Sequence, residues 1–286
     1  MSRPIALIVD GHNMIHRGFW AVKEQLTAPD GTPTNAIKGM VNILLAEIKK
    51  VEATHCAIIF DSGMDEFRAS LYPEYKAGRP HNDDLAVQIK YAKRLLKYAG
   101  IKVYCERGVE GDDLSGSIAV SASSEGALSV ITSSDKDFLQ LVRDDKIHIL
   151  PPKSDDHYGS EHVVERLGIK PKYVIDYLML LGDGVDNIPG VYKVGPAKAK
   201  ELVNRFGRAG RIVRHADELT PALKKNILEA APQFKLTRKL ITIRTDRVPD
   251  FKLEDIEFQS GDDKKLKKLC NRLGLHATYN LIKSRL

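Results

Sequence analysis

The order of apolar segments predicts an α/β domain with a mainly parallel central sheet flanked by helices, followed by a helical carboxyl-terminal region. Three observations carry this. Five short apolar runs fall within the first 150 residues with helix-period segments between them, and strand–helix alternation favours parallel pairing. After residue 160 no such run recurs. Several of the runs also close on an acid, and ligands of parallel α/β sheets bind beyond the carboxyl ends of the strands.

Ile5 to Val9 reads as a buried strand ending at Asp10-Gly11-His12-Asn13. His12 and His16 are four apart, but with no third ligand nearby they are taken as polar or packing residues. From Thr34 to Val51 the residues Ile37, Met40, Val41, Leu44, Leu45 and Ile48 alternate by three and four, an amphipathic helix with Thr34 as its N-cap. Cys56 to Phe60 is a second strand, closed by Asp61. Prolines and a glycine break regular structure from Leu71 to Pro80, and a helix follows with Leu85, Ile89, Ala92 and Leu96 on one face. From Arg68 to Lys97, basic residues including Arg68, Lys90, Lys93 and Arg94 outnumber the acids. A solvated helix explains that excess; so does a single-strand contact surface, where bases stack and phosphates pair.

Ile101 to Cys105 is a third strand, and it leads into Gly108-Val109-Glu110-Gly111-Asp112-Asp113 at the start of a helix. Acids in a first turn cap a helix. Three within four residues exceed what capping needs and ask for a cation or a basic partner. Leu128 to Ile131 is a fourth strand, followed by Ser134-Asp135-Lys136-Asp137, and Ile147 to Leu150 a fifth. A helix over Tyr173–Leu181 precedes Gly182-Asp183-Gly184-Val185-Asp186-Asn187-Ile188-Pro189-Gly190-Val191. Gly195-Pro196 then turns into a further helix whose amino end, with Lys198 and Lys200, suits a phosphate. Leu266, Leu269 and Leu273 line one side of a later basic helix.

With 44 Lys+Arg against 38 Asp+Glu, net +6, the balance favours a polyanionic partner only weakly. No apolar run is long enough to cross a bilayer and no signal-peptide pattern follows Met1, so a cytoplasmic protein is expected, in host cytoplasm if viral. Cys56, Cys105 and Cys270 lie far apart and lack metal-ligand spacing.

Taken in order, Val9-Asp10-Gly11-His12-Asn13, Tyr75-Lys76-x-x-Arg79-Pro80, Glu110-Gly111-Asp112-Asp113, Ser134-Asp135-Lys136-Asp137 and Gly182-Asp183-x-x-Asp186-Asn187-Ile188-Pro189-Gly190-Val191 make a specific pattern. Over about Ile5 to Leu202 the chain resembles the 5′-nuclease family: flap endonucleases, phage 5′-exonucleases and the amino-terminal nuclease domain of bacterial DNA polymerase I. It ends where a polymerase would begin, so a stand-alone nuclease is expected. The resemblance implies a helical arch at about 70–99 over the active site of an α/β domain, 1–160. It implies a helix-three-turn-helix at about 182–206 within a helical DNA-binding region, 161–286. It implies that Asp10, Asp61, Glu110, Asp112, Asp113, Asp135, Asp137, Asp183 and Asp186 serve two or more Mg²⁺ ions, for which Mn²⁺ substitutes, some through water. Lys76 and Arg79 would reach the scissile phosphate and Tyr75 would stack on a base. The implied substrate is DNA with a 5′ flap or 5′ end and adjoining duplex, with RNA–DNA hybrid a further candidate, cut by a monomer in replication, primer removal or repair.

Two departures stand out. Gly111 holds a position where the family usually has alanine. In the hairpin, Lys193 replaces the first glycine of the family's Gly-x-Gly and Ala197 its lysine, with Lys198 one place later; a hairpin K⁺ site is thereby open to question. Lys193, Lys198 and Lys200 are the candidate duplex contacts. The alternatives are a metal-dependent ribonuclease on a related acidic sheet and a DNA-binding relative without catalysis. Nine carboxylates in one pocket would repel one another without metal. Mild acidification, Asp112→Asn and Asp183→Asn are therefore each expected to stabilise the metal-free protein.

Overall fold

The computed structural model describes residues 3–24, 26–63, 65–78 and 83–286. Five strands form one all-parallel sheet in the order β3-β2-β1-β4-β5. They are β1 (Ile5–Asp10), β2 (His55–Ile59), β3 (Lys102–Tyr104), β4 (Leu128–Thr132) and β5 (Ile147–Leu150). The chain builds outward from β1 to β3, then returns to add β4 and β5 on the other side. The strand order therefore reverses between β1 and β4, and a crevice opens beyond their carboxyl ends, where such sheets bind ligands.

Alternation along β1 divides the interior in two. Ala6 and Ile8 join a core with the helices that follow β3, and Leu7 and Val9 one with the helices that follow β1 and β2. The second face carries α1 (Gly11–Ala21), α2 (Asn35–Lys50) and, beyond the short α3 (Glu66–Leu71), α4 (Asp83–Tyr98). Gly18 and Gly39 let α1 and α2 touch backbone to backbone: a Cβ on Gly39 would lie 2.2 Å from the Gly18 carbonyl oxygen. Thr34 sits at the N-cap position of α2 without capping it; its hydroxyl donates to the Leu26 carbonyl instead. The cap comes from α4, where the buried Gln88 accepts from the N–H groups of Ala36 (2.8 Å) and Ile37 (3.4 Å).

The other face carries α5 (Gly111–Ser124) and the helical region: α6 (Ser160–Leu167), α7 (Val174–Leu181), α8 (Pro196–Phe206), α9 (Ala209–Arg214), α10 (Pro221–Ala230) and α11 (Phe234–Ile241). α7, the turn at 182–195 and α8 form the expected hairpin, and α7 and α8 pack together. The chain then returns: Arg244 reaches α5, and α12 (Asp263–Arg272) and α13 (His276–Lys283) pack on α4 and α2. No helix is long and apolar enough to cross a membrane among the described residues.

Candidate active site

Strand ends and helix starts deliver the acids. Asp10 ends β1 and caps α1 through the Asn13 N–H (2.9 Å); Glu110 stands at the N-cap of α5 and Asp112 in its first turn. Asp135 caps the 3₁₀ turn Lys136–Leu141, accepting from the Asp137 N–H (2.9 Å). Asp183 accepts from the N–H groups of Val185 (2.8 Å) and Asp186 (3.3 Å), which fixes the turn after α7. Asp10, Asp135 and Asp183 are thus held by turns that their own sequence neighbourhoods set.

These elements surround a cleft of about 450 Å³ lined by Asp10, Asp61, Glu110, Asp112, Asp135, Asp137, Asp183 and Asp186. Burial raises several of them. Asp10 is pushed up to about 6 by burial, against its hydrogen bonds from Asn13 and Ser133. Asp137 rises to about 7 through burial and its neighbour Asp135. Asp112 rises well above the carboxylate range through burial, then through Asp10, Asp135, Asp61 and Glu110. Glu110 is raised by burial even beside Lys76 and Arg68. Proton uptake relieves repulsion that the protein alone does not neutralise.

Two lysines lean into this field. The Lys76 ammonium pairs with Glu110 and lies 3.9 Å from Asp186. Lys76 has φ +54°, held by its N–H on the Asp186 carbonyl (3.2 Å) and by Asn187, whose side-chain amide donates to the carbonyls of Glu74 and Ala77. Lys136 pairs with Asp183 at 3.1 Å. As they stand, no three His, Cys, Asp or Glu side chains among the described residues converge tightly enough to hold one ion. The carboxylates lean on lysines and N–H groups instead.

Three sequence expectations change. Asp113 does not line the cleft: it is fully buried on the far side of α5, bridged by Arg68 (2.8 and 2.9 Å) and Arg244 (2.6 Å). Burial would raise its pKa, but those guanidinium contacts outweigh it and hold the carboxyl below its usual range. Arg68 is not a DNA contact. It is 2% exposed, pairs also with Asp65 (2.5 Å) and Glu110 (3.3 Å), and donates to the Leu240 and Thr242 carbonyls. Tyr75 is buried and cannot offer a ring face to a base; its hydroxyl donates to Glu110 (2.9 Å) and lies 3.2 Å from Asp186. Arg79 lies outside the described residues.

The sequence reading missed His12 and left Lys136 without a role. His12 Nδ1 accepts from the Asp61 N–H (3.1 Å) and is 3.3 Å from its carboxylate, and both His12 and His16 line the cleft. The His–x₃–His spacing was visible, but its partner Asp61 is 49 residues away. Arg166, at the last turn of α6, also borders the cleft.

A family model described as the 5′-3′ exonuclease N-terminal resolvase-like domain matches residues 5–168, and its C-terminal SAM-fold companion matches 169–264. The chain belongs to the 5′-3′ exonuclease family. This nuclease is 34% identical over 270 residues to a 5′-3′ exonuclease of Aquifex aeolicus, covering 93% of this chain and 91% of that one. It is 33% identical over 284 residues to DNA polymerase I of Caldicellulosiruptor bescii, covering 94% of this chain but only 33% of the polymerase. A structure of the bacteriophage T5 flap endonuclease with DNA and metal ions shares its fold, with a TM-score of 0.69 at 23% identity, covering 93% of this chain and 97% of that one.

The remaining basic candidates do not line the cleft. Lys90 and Arg94 are exposed on α4, while Lys93 sits 3.1 Å from the Cys105 sulfur and over the Phe60 ring. Lys193 and Lys200 are exposed; Lys198 pairs with Glu201 (2.6 Å). Lys193 adopts φ +57°, a conformation that glycine takes without strain, at the position where the family carries its hairpin glycine.

Proposed function

We propose that the nuclease hydrolyses phosphodiesters at 5′ flaps and 5′ ends of DNA with bound divalent cations, Mg²⁺ in the cell and Mn²⁺ as a substitute. The convergence of eight carboxylates at the sheet's reversal point carries this reading. The residues fit hard cations: the donors are all oxygen, four of the acids have raised pKa values, and one buried Asp137 oxygen has no hydrogen-bond donor. Asp10, Asp61, Glu110, Asp112, Asp135, Asp137, Asp183 and Asp186 would hold them. Such ions lower the pKa of an attacking water and stabilise the leaving oxygen.

The chain's own residues supply the rest. Tyr75 and Arg68 orient Glu110, and Lys76, whose ammonium is only partly buried, complements charge growing on the phosphate oxygens. Arg79, three residues beyond Lys76, is assigned the same task. Lys90 and Arg94 would meet single strand; Lys193, Lys198 and Lys200 would meet duplex phosphates. The assignment keeps a monomer acting in the cytoplasm, with an α/β unit at 1–160 and a helical DNA-binding unit at 161–286. RNA–DNA hybrid stays within the substrate range. K⁺ at the hairpin would share that turn with the positive charge of Lys193.

Incubating the protein with 5′-flap DNA and with hairpin RNA, each with Mg²⁺ or chelator, tests the reading; cleavage of hairpin RNA alone would sink it. Lys76→Ala should slow single-turnover flap cleavage by about two orders of magnitude or more with little change in DNA affinity. Equal rates would remove Lys76 from the chemistry.

A further inference from the structure

The cleft's negative charge falls into two halves. Asp10, Asp61, Glu110 and Asp112 act on one another on the β1–β2 side, Asp137, Asp183 and Asp186 on the side of the 3₁₀ turn and α7, and Asp135 acts on both. Lys76 spans the two, with Glu110 on one hand and Asp186 on the other. Lys136 serves the second half alone: its ammonium is 3.1 Å from Asp183 Oδ2, and its side chain stays 40% exposed. It lies between Asp135 and Asp137 and, like both of them, lines the cleft. Asp183 Oδ1 already accepts two backbone N–H groups, so Oδ2 is the oxygen left open to a cation, and a cation arriving there meets the positive charge of the Lys136 ammonium.

We infer that Lys136 is a built-in counter-ion of the Asp137–Asp183 half, competing with a divalent cation for it and making that half the weaker cation site in the DNA-free protein. The inference rests on the reading of the cleft as a divalent-cation site. Its consequence is order: the β1–β2 half fills first. The second half fills once the Lys136 ammonium has another anion to pair with, and the phosphate of bound DNA is the anion at hand. Lys136 is then a positioning residue that couples the second cation to substrate, on a flexible stem long enough to turn from Asp183 to a neighbouring oxygen.

Mn²⁺ binding to the DNA-free protein, counted by the electron paramagnetic resonance of free Mn²⁺, tests this. Wild type should show a tight and a weak class of site. Lys136→Met and Lys136→Gln should each tighten the weak class about fivefold, the size of a partly exposed ion pair, and leave the tight class alone. Lys136→Arg should restore the wild-type isotherm. Arg166→Met, which removes the same charge from the cleft rim, should change it less, since Arg166 makes no carboxylate contact among the described residues. With non-cleavable flap DNA bound, the difference between wild type and Lys136→Met should vanish. Unchanged weak-class affinity in both neutral variants, or an equal gain in Arg166→Met, overturns the inference while leaving the cation reading intact. If Asp112→Asn and Asp183→Asn bind as much Mn²⁺ as wild type, the cation reading fails and takes this inference with it.

Discussion

The Tyr75 hydroxyl donates to Glu110 and lies against Asp186, so one oxygen ties a carboxylate of each half of the cleft. Its ring is sealed in the core below, with the Lys76 ammonium 5.1 Å from the ring centroid. Tyr75→Phe separates two roles. It keeps the ring, so a base-stacking residue would tolerate it; it removes the donor, so an orienting residue would not. The expected outcome is a loss of about 1–3 kcal/mol in stability, since a hydrogen bond to a charged group is lost from a buried site. Single-turnover cleavage should slow with flap-DNA affinity unchanged. Wild-type rates, together with weaker DNA binding in Tyr75→Leu, would return the residue to the substrate interface. At Gly111 the methyl that the family usually carries would come 2.8 Å from Asp61 Oδ1, and the bare N–H there donates to that oxygen at 2.5 Å. The departure lets Asp61 lie against the start of α5.

Helix α2 begins on Gln88 of α4. Gln88→Ala should cost about 2 kcal/mol, because two N–H groups at a buried helix end lose their acceptor and the Asn35 side chain loses a donor. That corresponds to a melting temperature lower by about 3–4 °C for a chain of this size. A melt within 1 °C of wild type would mean that another group takes over the cap. The same pair shows why the strands and most helices were legible while this contact was not. Apolar runs and three-four alternation report what a segment buries, which is decided locally. Thr34 satisfied every local requirement of a cap, yet the acceptor arrives from 52 residues away. Asp113 repeats the lesson. Its neighbours Glu110 and Asp112 face the cleft, but Arg244, which claims Asp113, comes from 131 residues further on. Spacing placed the acids at one end of the sheet; only tertiary packing decides which side of α5 each one serves.

At the scale of the whole molecule, folding gathers acids whose protonation the fold itself favours. Asp10 at about 6, Asp137 at about 7, and Asp112 and Glu110 all stand above their unfolded values. A group raised in this way contributes stability that is full below its unfolded pKa and is lost as pH rises through the folded one. Metal-free protein should therefore lose stability from about pH 5 to pH 7. Asp113 and Asp183 oppose this at the acid end, since their lowered values give stability that is lost as pH falls below the carboxylate range. Stability in chelator should then peak on the acid side of neutrality. Mg²⁺ should remove the neutral-pH penalty, adding about 2.7 kcal/mol at a hundred times its dissociation constant. The two Asn substitutions now part company. Asp112→Asn removes a charge that the fold resists, so it should raise the melting temperature in chelator at pH 7 while abolishing most cleavage. Asp183→Asn removes the partner of Lys136 from a carboxyl that the fold holds ionised, so it should lower that temperature, against the expectation from acid spacing alone. Melts in chelator and in Mg²⁺ at pH 5.5 and pH 7 decide it. If both variants shift in the same direction, or if the wild type is no more stable at pH 5.5 than at pH 7 in chelator, the cleft does not act as two halves with unequal charge balance.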